Sequence, residues 1–459
     1  MIYHMIRLIL LVSVLGTPAF AVAEDATPPQ PCMPPNAIER YVDEPIFQSR
    51  IRVVEAGKNN PETVLLVHGL GEAGACDWYG VLPALAAQYH VIAVDLPGFG
   101  KSEKRNLAYT PMLYASFIKW IAATEIRGPF TLIGHSMGGA ISLRYASVWP
   151  NDLKRLVLVD VAGILHRAAL AKTLVQQNVG GDGATGAGSR LKAWAGHLTE
   201  DFAKVPFDLG LLVGAESSRR IMLGGSTAKA AALSLIDEDF SLLLQRVTVP
   251  VALIWGDRDR IAPMRTARLL SARIPDARLC IIEDAGHEPM HDKPELFAQR
   301  LLAAIGQPLL AAASLPVAPT EARDGKCDDE KDKIFTGAWR RIDLRDCKGA
   351  RIVDAVVGKI DAKDSEFTIE HSKIGGNGPI AIVLQDSDVV ATGVWINAEI
   401  AVDLDDARID FAGVDLQASK IAIQTHNKSI GLFSACRISS PITNAGLHGI
   451  FVLIKDRPL

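Results

Sequence analysis

The chain has 459 residues, a formal net charge of −4, 49% hydrophobic residues and 22% charged residues. This composition is that of an ordinary globular protein, and the length suits two domains rather than one. The small net charge excludes the strongly basic surface that nucleic-acid binding requires, so no nucleic-acid partner is expected.

The first 23 residues are predicted to be a secretory signal peptide. A short apolar run at residues 8–15 is followed by an Ala-x-Ala ending at Ala19, Ala21 and Ala23. The run is too short for an ordinary membrane span, which predicts an exported protein, periplasmic or secreted, with no integral span after cleavage. An uncleaved membrane anchor is the alternative. The Pro-rich residues 24–39 would then form an N-terminal arm.

Residues 40–306 alternate between buried strands and helical patterns, which predicts a mostly parallel sheet covered by helices on both faces. Continuous apolar runs of the parallel-strand kind lie at residues 63–67, 90–94, 129–133, 155–159, 249–255 and 278–282. Helical patterns include residues 112–124 and 139–149. The alternation stops between about residues 163 and 246, where a helical insertion is expected.

Residues 134–139 read Gly-His-Ser-Met-Gly-Gly and lie between an apolar strand and an Ala-rich helical pattern. In such a nucleophile elbow the serine sits on a sharp strand-to-helix turn, and the flanking glycines avoid Cβ clashes. The turn also places Ser136 at a helix N-terminus, where free N–H groups favour developing negative charge. The motif therefore predicts Ser136 as a nucleophile.

A serine hydroxyl needs a base to take its proton and an acid to orient that base. With the elbow in this position, the acid and the histidine should each follow a later strand. The run 249–255 is followed by Gly-Asp-Arg-Asp, which supplies Asp257 and Asp259 as candidate acids. The run 278–282 is followed by a Gly-His pair that supplies His287 as the candidate base.

With these motifs the chain resembles the α/β-hydrolase superfamily over about residues 40–306. The resemblance implies that Asp259, three residues after a glycine, is the triad acid, with Asp257 as the competing candidate. It also implies that His287 is the base, whereas His291 belongs to the approach to the last helix. The insertion at residues 163–246 would form a cap that sets substrate choice.

The resemblance further implies an oxyanion hole in the loop after the first parallel strand. Its donors would be the backbone N–H groups of Leu70, which follows His68 and Gly69, and of Met137. Two fixed donors of this kind stabilise the oxygen of a tetrahedral intermediate. His68 is expected to order the loop rather than to act as a base.

These residues predict a serine hydrolase that cleaves a carboxylic ester or thioester of a small or medium acyl group, with a small-molecule ester as its partner. Ser136, His287 and Asp259 would form the triad, and neither a cofactor nor a metal is expected. A lactonase or a carbon–carbon bond hydrolase with the same triad is an alternative. A third hypothesis is a catalytically idle hydrolase body whose C-terminal domain binds glycan.

Export would place the cysteines in an oxidising compartment, where disulfides form. The six are Cys32, Cys76, Cys280, Cys327, Cys347 and Cys436. Six cysteines allow fifteen full pairings. We expect Cys32 to pair with Cys76 and Cys327 with Cys347, while Cys280, inside a strand that reads as buried, would be a free packing residue.

Residues 307–321 read as a linker, and beyond them the helical periodicity disappears. Residues 322–459 contain a loose repeat of about 18 to 22 residues, in which an Asp-containing turn is followed by a short β-branched run. No such unit buries its apolar face alone, which predicts an all-β domain like a parallel β-helix. Two roles are open for this domain: binding of a cell-surface glycan, or a purely structural packing role. The repeated aspartates suit turns better than calcium sites.

Overall fold

The computed structural model describes residues 33–34, 36–170, 172, 216–236, 238–307, 323–376, 378–455 and 457–459. The predicted signal peptide and most of the N-terminal arm lie outside the described residues. The central part of the predicted cap and all but the first residue of the predicted linker lie outside them as well.

In the described part of the chain, an eight-stranded sheet with the order β1-β2-β4-β3-β5-β6-β7-β8 forms the centre of the N-terminal domain. Its strands are β1 (Ile38–Glu44), β2 (Ser49–Ala56), β3 (Thr63–Val67), β4 (His90–Val94), β5 (Phe130–His135), β6 (Leu153–Val159), β7 (Val251–Gly256) and β8 (Arg278–Ile282). The pairs that β2 makes with β1 and β4 are antiparallel, and the other pairs are parallel. The predicted mostly parallel sheet is confirmed.

Helices cover both faces of this sheet, as the alternating pattern predicts. They are α1 (Leu82–Ala86), α2 (Pro111–Glu125), α3 (Met137–Val148), α4 (Glu216–Leu223), α5 (Thr227–Ile236), α6 (Met264–Arg273), α7 (Pro289–Asp292) and α8 (Pro294–Gly306). Because side chains alternate along a strand, Leu65 of β3 joins the apolar cluster that includes α2, α3 and α6. Its neighbour Leu66 joins the cluster that includes α1 and α8.

The described part of the predicted cap contains the helices α4 and α5, which are bonded to the loop that follows β4. Arg219 of α4 donates from Nε to the side chain of Asn106 at 3.0 Å. Thr227, the first residue of α5, donates to the carbonyl oxygen of Gly98 at 2.9 Å. These bonds hold the second half of the insertion on the body of the domain.

The C-terminal domain is all-β and winds as a parallel β-helix, as predicted. Its strands are β9 (Arg323–Asp328), β10 (Ile334–Arg345), β11 (Lys348–Val357), β12 (Ile360–Lys363), β13 (Glu366–Glu370), β14 (Lys373–Gly375), β15 (Ile380–Gln385), β16 (Asp388–Thr392), β17 (Trp395–Asp405), β18 (Arg408–Ala412), β19 (Asp415–Thr425), β20 (Ser429–Ser439) and β21 (Asn444–Leu453). Among the described residues every strand pair in this sheet is parallel except the closing pair β20–β21.

The strand register follows the repeat seen in the sequence. Leu344 pairs with Ala362, Ala362 with Leu384, Leu384 with Leu404, and Leu404 with Thr425. Equivalent positions of successive repeats therefore stack, and their apolar side chains fill one continuous interior. Each turn of the solenoid buries its apolar face against the next, which a single unit does not achieve alone.

The repeated aspartates occupy turns with left-handed backbone conformation. Asp346, Asp364, Asp386 and Asp406 have φ values of 51°, 52°, 46° and 46°. Aspartate tolerates this region because its short carboxylate bonds to nearby backbone. The turn geometry thus explains the repeated aspartates without a bound ion.

The disulfide predicted between Cys327 and Cys347 is present. Cys76 is also disulfide-bonded, but its predicted partner, Cys32, lies outside the described residues. Cys280 is free as predicted, but the expectation that it is buried is wrong. Its strand, β8, is the edge of the sheet, so the side chain of Cys280 is only half-buried.

In the parts of the chain that the structure describes, no helix is both long and apolar enough to cross a membrane.

Candidate active site

Ser136 lies on the sharp turn between β5 and α3. Its backbone has φ 52° and ψ −118°, a conformation that a non-glycine residue adopts only under strain. The Ser136 N–H donates to the carbonyl oxygen of Val159 in β6 at 2.9 Å, which ties the turn to the neighbouring strand. The strained turn carries the hydroxyl off the end of the sheet, as the motif predicts.

The glycines on either side of Ser136 are required by close backbone packing. A Cβ on Gly134 would lie 2.3 Å from the carbonyl oxygen of Gly138. A Cβ on Gly138 would lie 2.4 Å from the carbonyl oxygens of Val67 and His68. Real Cβ atoms do not approach backbone so closely, so a larger residue at Gly134 would push α3 away from β5, and one at Gly138 would push α3 away from β3.

The structure brings Ser136, His287 and Asp259 into one chain of hydrogen bonds. Nε2 of His287 lies 2.8 Å from Oγ of Ser136, and Nδ1 lies 2.8 Å from Oδ2 of Asp259. An ionised Asp259 accepts from Nδ1–H, which leaves Nε2 free to accept the hydroxyl proton of Ser136. This is the arrangement that activates a serine.

The carboxylate of Asp259 is almost completely buried and is held by backbone as well as by His287. Its Oδ1 accepts from the N–H groups of Ile261 at 2.7 Å and Ala262 at 2.9 Å. The competing candidate, Asp257, is exposed at the surface. The geometry therefore favours Asp259 as the acid partner of His287.

The loop that carries Leu70 lies beside the serine. A Cβ on Gly69 would lie 3.1 Å from Cβ of Ser136, so the loop backbone runs close to the nucleophile. His68 orders this loop, because its Nε2 accepts from the N–H of Leu96 at 2.9 Å while Nδ1–H donates to the carbonyl oxygen of Gly69 at 2.7 Å. Neither the N–H of Leu70 nor that of Met137 donates to another described residue.

Sequence reasoning missed the role of His135, although the residue stands inside the elbow motif. Its Nε2 lies 2.8 Å from the carbonyl oxygen of His287, so Nε2–H donates to the backbone of the candidate base. Burial, followed by the nearby ring of His287, lowers the pKa of His135 to about 3. His135 is thus a neutral, buried residue that holds the His287 loop.

Two further acids near the site, the buried Asp160 and the half-buried Asp77, were not identified from the sequence. Asp160, at the end of β6, accepts from the N–H of Gly256 at 3.0 Å. Burial, together with the nearby Asp259, raises the pKa of Asp160 well above its ordinary value. Burial, with Glu288 as the next cause, raises the pKa of Asp77 to about 7. An aspartate directly after a buried strand, as at Asp160, was the only local signal available.

No group of three or more His, Cys, Asp or Glu side chains among the described residues is arranged to hold a metal ion. The polar side chains at Ser136 are joined to one another by hydrogen bonds, from Ser136 to His287 and from His287 to Asp259. The mostly parallel sheet, with a hydrogen-bonded serine, histidine and aspartate beyond the ends of its strands, points to the class of α/β hydrolases.

The chain belongs to the alpha/beta hydrolase fold family, whose model matches residues 62–294. It is 31% identical over 252 residues to Lipase 1 of Psychrobacter immobilis, covering 51% of this chain and 74% of the lipase. It is 30% identical over 277 residues to the 2-hydroxy-6-oxo-6-(2'-aminophenyl)hexa-2,4-dienoic acid hydrolase of Metapseudomonas resinovorans, covering 58% of this chain and 90% of that enzyme. The solved structure of a Pseudomonas aeruginosa hydrolase covers 59% of this chain and 98% of its own, with 21% identity and a TM-score of 0.43. The family model and the two sequence relatives support a hydrolase.

Proposed function

We propose that this protein is an exported serine hydrolase that cleaves a carboxylic ester or thioester of a small or medium acyl group. The observation that carries the proposal is the unbroken chain of hydrogen bonds from Ser136 through His287 to Asp259. The lipase among the relatives adds weight to an ester substrate.

In the first half of the reaction, Oγ of Ser136 attacks the carbonyl carbon while Nε2 of His287 takes the hydroxyl proton. The carbonyl oxygen becomes an oxyanion that accepts hydrogen bonds from the N–H groups of Leu70 and Met137. The intermediate collapses as His287 gives its proton to the departing alcohol or thiol, which leaves an acyl group on Ser136. Asp259 stabilises the imidazolium in between.

In the second half, water attacks the acyl carbon while His287 takes a proton from it. The second tetrahedral intermediate uses the same two N–H donors, and His287 returns the proton to Oγ as the carboxylic acid leaves. Loss of one oxyanion donor typically costs about 3 to 4 kcal/mol of transition-state stabilisation. The two backbone donors are therefore expected to supply a large share of the rate enhancement.

Export is part of the proposal, and the disulfide between Cys327 and Cys347 supports it. Disulfides persist in oxidising compartments and are rare where cytosolic thiols are kept reduced. The short apolar run at residues 8–15 is the segment that would direct export.

A second candidate is hydrolysis of a carbon–carbon bond or a lactone by the same residues. The similarity to the 2-hydroxy-6-oxo-dienoic acid hydrolase over 90% of that enzyme favours keeping this alternative. A catalytically idle body would not need an intact hydrogen-bonded triad, so the geometry weighs against the binding-protein hypothesis.

The test is hydrolysis of p-nitrophenyl esters of increasing acyl length by the purified protein and by Ser136→Ala. Ser147→Ala is the matched control, because Ser147 lies on α3, the helix that begins directly after Ser136, and donates to the carbonyl oxygen of Arg144. We expect Ser136→Ala to abolish turnover and Ser147→Ala to retain it. A lactone and a 2-hydroxy-6-oxodienoate assayed in parallel separate the alternatives. The proposal is rejected if the folded protein cleaves no ester and Ser136 does not react with a fluorophosphonate probe.

A further inference from the structure

The C-terminal β-helix packs tightly against helix α6 of the hydrolase domain. A Cβ on Gly393 would lie 2.8 Å from Cβ of Ala272, and a Cβ on Gly413 would lie 2.9 Å from Cγ of Leu269. Ala412 and Ala435 of the solenoid belong to the same buried apolar cluster as the core of the hydrolase domain. The two domains thus share packed surface, and the solenoid is more than a tethered module.

A buried carboxylate lies at the centre of this contact. Asp410 of β18 is 3% exposed, and its Oδ1 accepts from Nη2 of Arg265 at 2.7 Å while Oδ2 accepts from Nη1 at 3.2 Å. Nη2 of Arg265 also donates to the carbonyl oxygen of Asp410 at 3.1 Å, and Nε donates to Thr392 at 3.0 Å. The guanidinium of Arg265 is therefore fixed in a two-pronged geometry that only arginine offers.

The same carboxylate also binds the start of the predicted cap. Nζ of Lys172 lies 3.4 Å from Oδ2 of Asp410. Burial by itself would raise the pKa of Asp410, but the charges of Arg265 and Lys172 outweigh it and lower the pKa below its ordinary value. One ionised side chain of the solenoid thus joins two separate segments of the hydrolase domain.

Both ends of the cap insertion have further bonds to the solenoid. At its start, the N–H of His166 donates to Oγ of Ser434 at 3.0 Å. At its end, Oγ of Ser241 donates to the carbonyl oxygen of Leu447 at 3.2 Å. The solenoid therefore contacts the two places where the cap leaves and rejoins the body.

Arg265 connects this contact to the candidate active site. It is the second residue of α6, and only Pro263 separates that helix from Ile261 and Ala262, whose N–H groups hold Oδ1 of Asp259. A shift of α6 relative to the sheet would move these two donors. The orientation of Asp259 toward His287 would change with them.

We propose that Asp410 is a positioning residue for the hydrolase site, fixing the loop that holds Asp259 through Arg265 and the first cap segment through Lys172. The expected effect of Asp410 on catalysis rests on the proposed function, whereas its effect on the loop that holds Asp259 does not. The sheet face that includes Asp410 serves as an internal support, so a glycan would have to bind elsewhere on the solenoid.

The test compares Asp410→Asn with Glu370→Gln in the full chain. Glu370 is the matched control, because it pairs with Arg268 of the same helix across the same contact but lies closer to solvent. Hydrogen exchange of the Ile261 and Ala262 amides measures directly how well the loop that holds Asp259 is ordered. The kcat and KM for a short-chain p-nitrophenyl ester measure the effect on the candidate active site. Asp410→Asn leaves Arg265 and Lys172 without their buried carboxylate partner, and some variants of this kind fail to fold. Arg265→Lys, which keeps the charge but loses the two-pronged geometry, is therefore the second variant.

In Asp410→Asn or Arg265→Lys we expect exchange at the two amides to rise about tenfold or more and kcat to fall by a similar factor, with little change in KM. Glu370→Gln should stay within about twofold of wild type in each measurement, because half-exposed ion pairs contribute little. Unchanged exchange in folded Asp410→Asn and Arg265→Lys overturns the inference whatever the activity. If the amides exchange faster in the two variants but the wild-type protein cleaves no ester, the positioning role of Asp410 is supported and the proposed function is rejected.

Discussion

Nε2 of His135 lies 2.8 Å from the carbonyl oxygen of His287, so the residue before the candidate nucleophile holds the backbone of the candidate base. The two rings are 5.0 Å apart between centroids. Nδ1 of His135 is buried and meets no hydrogen-bond partner in the described part of the chain, which agrees with a neutral ring protonated at Nε2. The elbow therefore positions Ser136 through its own turn and His287 through the hydrogen bond from His135.

The buried neutral His135 is expected to make the protein less stable in acid. Burial first, and the nearby His287 second, lower its pKa to about 3, whereas an unfolded histidine has a pKa of about 6.5. Between these values the unfolded chain binds a proton that the folded chain does not. This group therefore removes about 1.4 kcal/mol of stability for each pH unit below 6.5.

The variant His135→Gln keeps an N–H donor but does not titrate. We expect its free energy of unfolding, measured in urea from pH 6.5 to 4.5, to fall less steeply than that of wild type. Equal slopes for the two proteins would show that His135 is protonated in the folded state.

Asp77 is expected to have the opposite pH dependence. Burial, then Glu288 and Asp95, raise its pKa to about 7 in the folded protein, above the unfolded value of about 3.9. Between pH 4 and 7 the folded state retains a proton that the unfolded state loses, so stability falls as pH rises through this window. Asp77→Asn should be more stable than wild type at pH 8 and close to it at pH 4. Thermal unfolding at both pH values measures this, and an equal difference at the two would refute the prediction.

The choice between the two candidate acids is directly measurable. Asp259→Asn cannot accept from Nδ1–H of His287 as a carboxylate does, and loss of the acid in a triad of this kind lowers kcat by about 10⁴. Asp257→Asn changes an exposed side chain, so we expect kcat to stay within about twofold of wild type. The assay is ester hydrolysis at saturating substrate. A larger loss in Asp257→Asn than in Asp259→Asn would reverse the assignment.

The disulfide between Cys327 and Cys347 is expected to stabilise the start of the solenoid. It links residues that are 20 positions apart, and closing a loop of this size in the unfolded chain contributes about 3 kcal/mol. Replacing both cysteines by serine should lower the unfolding temperature measured by calorimetry. Cys280→Ser is the control, because Cys280 is free and half-buried. If the double variant unfolds like wild type, the crosslink is not stabilising.

The candidate site was largely readable from the sequence because each of its parts is local. Ser136, Asp259 and His287 each follow a strand of a parallel sheet, and the carboxyl ends of neighbouring parallel strands meet at one edge. Spacing along the chain therefore implied proximity in space. The repeat of the C-terminal domain was readable for a similar reason, since a solenoid pairs each turn with the next.

Other features left no such trace. Cys280 is half-exposed because β8 is the edge strand of the sheet, and the residues of a single strand do not show where it lies in the strand order. The bond from His135 to the carbonyl oxygen of His287 joins residues 152 positions apart. The contact between Arg265 and Asp410 joins residues 145 positions apart in different domains, and neither segment contains a sequence motif from which the other could be predicted as its partner.

The sequence by itself determined the parallel sheet, the elbow and its partners, and the winding of the β-helix, because hydrophobic periodicity and motif spacing act within one element or between successive ones. Only the tertiary structure decided which buried side chains surround the candidate site and how the solenoid supports it. Those contacts depend on the shapes of surfaces that meet after each domain has folded. The sequence around a single arginine or aspartate does not indicate whether its side chain is exposed to solvent or buried in a contact between domains.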